Sequence, residues 1–442
     1  MIEGKQKLPR RCFLRALVGG VTSAVLAGQS AVAWTRGESS PQTSAPRRSV
    51  TARTIKIGMS AAFTGTAAAL GTELYRGAQA YYDEINDRGG IHGRPISVAV
   101  LDDHYEPLPC VMNTLRLLEE EGVFLLSGYV GTPTLTRALP FIKQYAQEHD
   151  EDLAVVGVFT GAQPQREPPY GEYVFNIRAS YRQEMMALVE QFWRAGAREF
   201  GVFYQIDAYG RSGTDGVARG LARRGATIAA EATYARGARF EDDMSLAAKT
   251  LREGRVDVVL CTGVYQGCAA FIRSARDLGW NVPISNLSFV GSEALLGLLT
   301  EHGRKTGRDY TRAIINSQVV PSYDDPTLPG VREYRALMDK NNPAIPHSLR
   351  DPRYTPRNYS FVSLEGFINA KVIVEGLRRA GPHLTRHWFR QGLESLHDYD
   401  LGIGAPLSFG ANRHQGLDSV YFTRVENDRW VPITDWKAAM SV

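Results

Sequence analysis

Apolar positions along this chain fall into two alternating periods from Arg53 onward. Thr54–Met59 alternates at the two-residue period of a strand and ends in a Gly/Thr loop. Gly71–Asp87 then carries Leu74, Ala78, Tyr81, Tyr82 and Ile85 along one stripe at helical spacing and stops at Gly89-Gly90. Pro95–Asp102 reads as a strand, Pro109–Glu121 as a helix, Val123–Gly128 as a strand, Pro133–His149 as a helix and Ala154–Thr160 as a strand. That rhythm predicts a parallel sheet wrapped by helices, because parallel strands need helical crossovers.

The rhythm then recurs. Strands are expected at Glu199–Tyr204, Thr227–Thr233, Val256–Gly263 and Ile284–Gly291, and helices at Gly213–Arg224, Phe240–Glu253 and Gln266–Leu278. A second α/β unit of similar plan follows from it. Helices at Leu328–Lys340 and Phe361–Ala380 and strands at Ser419–Val425 and Arg429–Pro432 complete the chain. Asn341–Asn358 holds four prolines and reads as a long loop or lid. Open parallel sheets bind ligands at the carboxyl ends of their strands, so two such units predict a cleft between them.

Composition changes this picture little. With 442 residues, 43% hydrophobic and 22% charged, the chain has material for two or three ordinary domains. Charge changes it more. Lys5, Lys7, Arg10, Arg11 and Arg15 against the single Glu3 account for the whole net charge of +4, leaving the rest neutral. No basic field remains to attract nucleic acid. The basic cluster precedes a Gly/Ala-rich apolar stretch, Ala16–Ala27, and the A-x-A sequence Ala31-Val32-Ala33. These are the three parts of a secretory signal, and the paired arginines before x-Phe-Leu-Arg resemble a twin-arginine signal. Residues 1–33 are therefore expected to be a signal peptide cleaved near Ala33, with 34–52 a linker and the mature protein in the periplasm.

Candidate chemistry is sparse. GxSxG, Walker A and HExxH motifs are all missing, and Cys110, Cys261 and Cys268 form no CxxC pair. They read as small buried hydrophobes, or as one disulfide and a free thiol. Gly210, Gly213 and Gly216 lack dinucleotide-loop spacing and read as a loop followed by a helix start. His383 and His387 stand four apart on an expected helical face with no third ligand nearby. Asp102 and Asp103 point to opposite faces of a strand. No catalytic residue, metal site or cofactor is expected, and binding is favoured over turnover.

The strand-end loops nominate the binding residues. Phe63, Thr64 and Gly65 follow the first strand; Tyr129, Val130, Gly131 and Thr132 follow another; Thr160, Gly161 and Ala162 a third. Each offers backbone N–H groups and hydroxyls suited to a carboxylate or amide.

IKIGMSAAFTGTAAAL (Ile55–Leu70) and the later GGIHGRPI strongly resemble the start of mature branched-chain amino-acid-type substrate-binding proteins. LDDHYEP, GYVGTPT, FVGSEAL, FVSLEGF and PLSFG continue the likeness in order, from Arg53 to Ile433. The resemblance implies a type I periplasmic binding protein fold, two doubly wound α/β lobes joined by three hinge crossings. It places the crossings near Tyr173–Ala179, Val319–Asp324 and Ala405–Ser408. Lobe 1 would combine 53–176 with 323–405, and lobe 2 would combine 177–322 with 406–436. It implies a monomeric receptor that carries a small amino acid or related carboxylate or amide to the permease subunits of an ABC importer. A sensory protein of the same fold is the alternative, and an exported α/β enzyme a more distant one. By the same resemblance Gly128–Thr132 and Thr160–Ala162 would grip the solute's carboxylate. Tyr209 and Tyr265 would close on it from lobe 2, and Glu293 would face its ammonium, although a helix-cap role is open to Glu293 as well. Tyr105 stands where the amino-acid binders carry a cysteine of a lobe 1 disulfide, which implies a divergent branch. With Phe63, Tyr129, Tyr209 and Tyr265 it is a candidate ligand residue suited to a planar solute, tyrosines being ordinary cleft walls as well.

Overall fold

The computed structural model describes residues 53–441; the export-signal and linker readings of residues 1–52 lie outside them. From the start of the described chain, β1 (Ile55–Ala61), α1 (Ala68–Asp87), β2 (Ile96–Asp102), α2 (Pro107–Glu119), β3 (Leu125–Ser127), α3 (Thr132–His149), β4 (Val155–Val156) and β5 (Val174–Phe175) build a first layer. The chain then runs through α4 (Tyr181–Ala195), β6 (Phe200–Gln205), α5 (Ala208–Ala222), β7 (Ala230–Tyr234), α6 (Ser245–Glu253), β8 (Val258–Thr262), α7 (Tyr265–Asp277), β9 (Ile284–Asn286), α8 (Ser292–Thr306) and β10 (Ile314–Gln318). Next come α9 (Pro329–Asn341), α10 (Phe361–Arg379), α11 (Arg386–Glu394) and a short hairpin, β11 (Tyr399–Asp400) with β12 (Pro406–Leu407). It closes with β13 (Tyr421–Glu426), β14 (Arg429–Pro432) and α12 (Trp436–Ala439).

The first sheet has the order β2-β1-β3-β4-β5 and is parallel throughout. The second has the order β14-β13-β10-β9-β8-β6-β7, parallel except where β13 pairs antiparallel with β10 and β14. Its central strands β8 and β9 are buried at every residue, as parallel strands covered on both faces must be. These are two doubly wound lobes. The chain passes between them through residues 176–180, 319–328 and 408–420. The first and third passages lie side by side: Asn176 N–H donates to His414 O at 2.7 Å, and Leu417 N–H donates to Ile177 O at 3.0 Å.

Several local readings are corrected by packing. The helix expected from Gly213 begins earlier, at Ala208, so Gly210 too lies inside α5 rather than in a loop before it. A Cβ at Gly213 would strike Thr262, and one at Gly216 would press on Met185, so they let α5 sit tight on β8 and α4. Thr385 caps α11 by accepting a bond from Trp388 N–H, so His383 precedes the helix and shares no face with His387, which bonds Asp152 instead. The strand expected over Ala154–Thr160 shrinks to two residues. Gly157 turns left-handed there (φ 64°), and Asn369 of α10 packs against it, donating to Gly157 O at 3.0 Å. The proline-rich run 341–358 is fastened to α1. Arg76 reaches Pro343 O and the Arg357 carbonyl, while Glu73 accepts from Tyr354 Oη and Arg357 N–H. Cys110, Cys261 and Cys268 are buried free thiols.

No helix among the described residues is long and apolar enough to cross a membrane. Among the same residues no group of three His, Cys, Asp or Glu side chains could hold a metal.

Candidate solute-binding site

The loops that follow β1, β3 and β4 at their carboxyl ends face those that follow β6, β8 and β9, and the two lobes touch across them. Tyr105 lies just beyond β2, with φ at 65°. Asp103 holds it there by accepting its N–H at 2.9 Å. Its ring lies 6.1 Å from that of Phe289 in the opposite lobe, and its hydroxyl accepts a 3.4 Å bond from Gln205 Nε2, also of that lobe. Phe289 also lies 5.1 Å from Phe159 and 4.7 Å from Tyr209, and Tyr209 stands 5.1 Å from Tyr181. All of these rings are buried. Any solute entering here must part ring–ring contacts, so an apolar body that replaces them is favoured.

The strand-end loops supply the polar side. Gly131 (φ 111°) precedes α3, and a Cβ on it would clash with the Tyr105 ring. Thr132, the first residue of α3, shares a 2.8 Å hydroxyl–hydroxyl bond with Thr160. Val130 pairs with Phe159 in an isolated parallel bridge, which aligns these two loops. Gly161 abuts Tyr181: its carbonyl accepts Tyr181 N–H at 2.7 Å, and it has no room for a side chain. Ala162 is buried next to it, its N–H 3.4 Å from Thr160 Oγ1. Burial pushes the Tyr181 phenol up to about 12 and the Tyr105 and Tyr209 phenols above their usual range, so all three stay neutral donors.

The other expected residues sit elsewhere. The Tyr129 ring packs into the lobe 1 core beside Cys110 and Leu117, its hydroxyl bonded to Thr114 at 2.9 Å. Phe63 is buried edge-on to Tyr75 of α1, and its N–H donates to Asp102. Thr64 donates to Asp102 Oδ2 at 2.6 Å and meets His104 at the cleft rim. Tyr265 reaches across to lobe 1, where its hydroxyl accepts Ala69 N–H at 3.4 Å. Glu293 opens α8 and accepts Phe361 N–H, the first residue of α10, at 3.3 Å. Desolvation raises its carboxyl to about 7, with Glu73 adding to the rise. The structure thus brings Tyr105, Gly131, Thr132, Thr160, Gly161 and Tyr209 into one cluster, and holds Tyr129 and Glu293 in other environments.

Three groups at the cleft floor escaped the sequence reading: Arg178, Tyr181 and Phe289. Arg178 lies in the first passage between lobes with 2% of its surface exposed. Its guanidinium covers the Phe159 ring at 4.9 Å and the Tyr181 ring at 5.6 Å. It pairs with Glu184 of α4 at 3.2 Å and Glu365 of α10 at 3.4 Å, and it donates to Ser288. Glu184 also accepts from Ser288 N–H and from the hydroxyls of Ser288 and Ser317. Arg166 ties the same floor together, donating to Arg178 O, Thr160 O and Gln415. A signal for Tyr181 was present: Ser180-x-x-Gln183 forms a capping box and makes Tyr181 the first residue of α4. Arg178 had none, because its partners are scattered over some two hundred residues of chain.

Two lobes on parallel and mainly parallel sheets, three passages between them and facing strand-end loops define a type I periplasmic binding fold. The chain belongs to the periplasmic binding protein family, whose model matches residues 54–429. It is similar to a possible leucine/isoleucine/valine-binding protein from Rhodopirellula baltica, with a TM-score of 0.75 and 32% identity over 88% of this chain and 98% of that one. A Leu/Ile/Val-binding protein homolog from Brucella suis is 25% identical, covering 74% of this chain and 77% of that one. A branched-chain amino acid ABC transporter protein of Thermus thermophilus, solved with bound valine, shares the fold at a TM-score of 0.73 and 17% identity, covering 87% and 96% of the two chains.

Proposed function

We propose that this chain is the exported solute receptor of an ABC importer, working in the periplasm and presenting its closed form to permease subunits. The solute is a small carboxylate or amide of amino-acid size, held between lobes that move as units. Residues 53–176 with 323–407 make one lobe and 177–322 with 408–436 the other, the third passage starting later than the sequence suggested because β12 still pairs with β11. The observation that carries this reading is the Tyr105 side chain. It lies on Gly131 of its own lobe and meets Phe289 and Gln205 of the other, so the buried contact surface is shared across the hinge. Closure that buries a solute in such a place also creates a new outer surface for a partner to read.

Native mass spectrometry of gently purified protein should detect a retained small molecule. A solute at a hundred times its Kd should add about 2.7 kcal/mol of stability, visible as a raised melting temperature. No shift with amino acids, aromatic acids or amides, together with no retained molecule, would sink the reading.

A further inference from the structure

The cleft floor holds more hydrogen-bonding capacity than the chain satisfies. Tyr181 Oη lies beside the Thr132 and Thr160 hydroxyls, yet it makes no hydrogen bond among the described residues, and neither does Arg178 Nε, whereas Arg178 Nη1 is held by its ion pair with Glu365 Oε1 at 3.4 Å. Both side chains are almost wholly buried, and buried polar groups rarely stay unpaired without a use. The formal charges are matched, two against two, and burial decides how far each counts. Arg178 and Arg166 stand against Glu184 and Glu365, and burial pushes Glu365 up to about 7 despite Arg178, weakening it as a counter-ion near neutrality. Glu184 is already engaged by Arg178, Ser288 and Ser317.

The carboxylates around the cleft each face a partner already, and Glu365 Oε1, which makes no hydrogen bond, stands 3.4 Å from Arg178 Nη1. Glu293 faces Phe361 and Tyr323. Asp207 caps α5 and accepts from Gln205. Asp103 takes the Ser60 hydroxyl and Tyr105 N–H. An ammonium brought into the aromatic cluster would be buried without a partner, which costs several kcal/mol.

We propose that the solute is a monocarboxylate with an apolar, ring-sized body and no ammonium group. Its carboxylate is held by Tyr181 Oη, Arg178 Nε and the Thr132–Thr160 hydroxyls. Its body lies among Tyr105, Tyr209 and Phe289. This rests on the solute-receptor reading and narrows it.

The test is calorimetry on the full chain with matched probes: 3-phenylpropanoate, phenylalanine and 3-phenylpropanamide, then 4-methylpentanoate and leucine. At least one acid should bind about tenfold or more tighter than its amino acid and its amide, the margin that a buried unpaired ion commands. Arg178 belongs to the folding network, so Tyr181→Phe carries the residue assignment. It should weaken the acid about tenfold, as expected for a hydrogen bond to a charged group, with the melting temperature of the free protein nearly unchanged. Amino acids binding as tightly as the acids, or Tyr181→Phe leaving acid affinity intact, overturns this proposal and leaves the receptor reading standing. If no probe binds but native mass spectrometry finds another small molecule retained, the proposal also falls and the receptor reading survives. If neither is seen, both fall.

Discussion

The floor and the rim of the cleft both join the lobes through charged groups, but under different physics. At the floor, Arg178, Glu184 and Glu365 are each less than a twentieth exposed. Such charges are costly to bury, and are tolerable only with their partners in place. At the rim, Arg236 of lobe 2 forks onto Glu106 of lobe 1 at 2.8 and 3.3 Å, with 27% and 47% of the side chains exposed. Water screens that pair, and pairs of this kind are worth about 0.2–1 kcal/mol. The difference teaches where the hinge keeps its geometry: the floor fixes how the lobes meet, and the rim biases how often.

The strongest way to break that division is Glu184→Ala. It strips one partner from Arg178 and two from Ser288, and should cost about 3–5 kcal/mol, read as a lower urea midpoint with an unchanged slope. An effect below that of the rim variant would overturn the comparison.

The pH dependence comes next. Glu365 and Glu293 are raised to about 7 in the folded chain, so between about 4.5 and 7 the native state holds protons that the unfolded chain has released. Their contribution is therefore fully present below about pH 4.5 and is lost as pH rises through 7, at about 1.4 kcal/mol per unit of raised pKa for each group. Melting curves should shift downward over that window, and Glu365→Gln should flatten the decline. A flat profile in the unaltered protein would contradict the burial of both carboxyls.

Gly131→Ala sharpens the floor's link to the solute. At φ 111° a side chain is strained by about 1–3 kcal/mol, and its Cβ would push the Tyr105 ring away from Phe289. Stability should fall by that amount, and solute affinity should fall too. The smallest effect is expected from Arg236→Ala. It should weaken solute binding two- to fivefold at low salt and not at all near about 1 M, where the screening length drops to about 3 Å.

Legibility along the chain followed the range of the interactions. The strand Ile96–Asp102 was readable almost to the residue, and the stripe of α1 gave most of its helix, because both depend on periods within a dozen positions. The start of α5 was missed. Gly210 is a loop-former in isolation and sits in the helix because Asp207 caps the turn ahead of it and the Gln205 carbonyl leaves no room there for a side chain. Within the site, the Gly/Thr loops were visible because strand ends predict them, while the direction of the Tyr129 side chain was not. It turns into the core to meet Thr114, a choice made by a neighbouring helix.

By itself the sequence determined the alternation of strands and helices, the two α/β units and the loops at their carboxyl ends, since local periodicity and turn chemistry encode all three. Only the tertiary structure decided which side chains meet across the cleft. Arg178, Glu184, Ser288 and Glu365 come together solely because two sheets and a hinge carry them there. Burial then sets their charge, a property that no stretch of chain possesses before it folds.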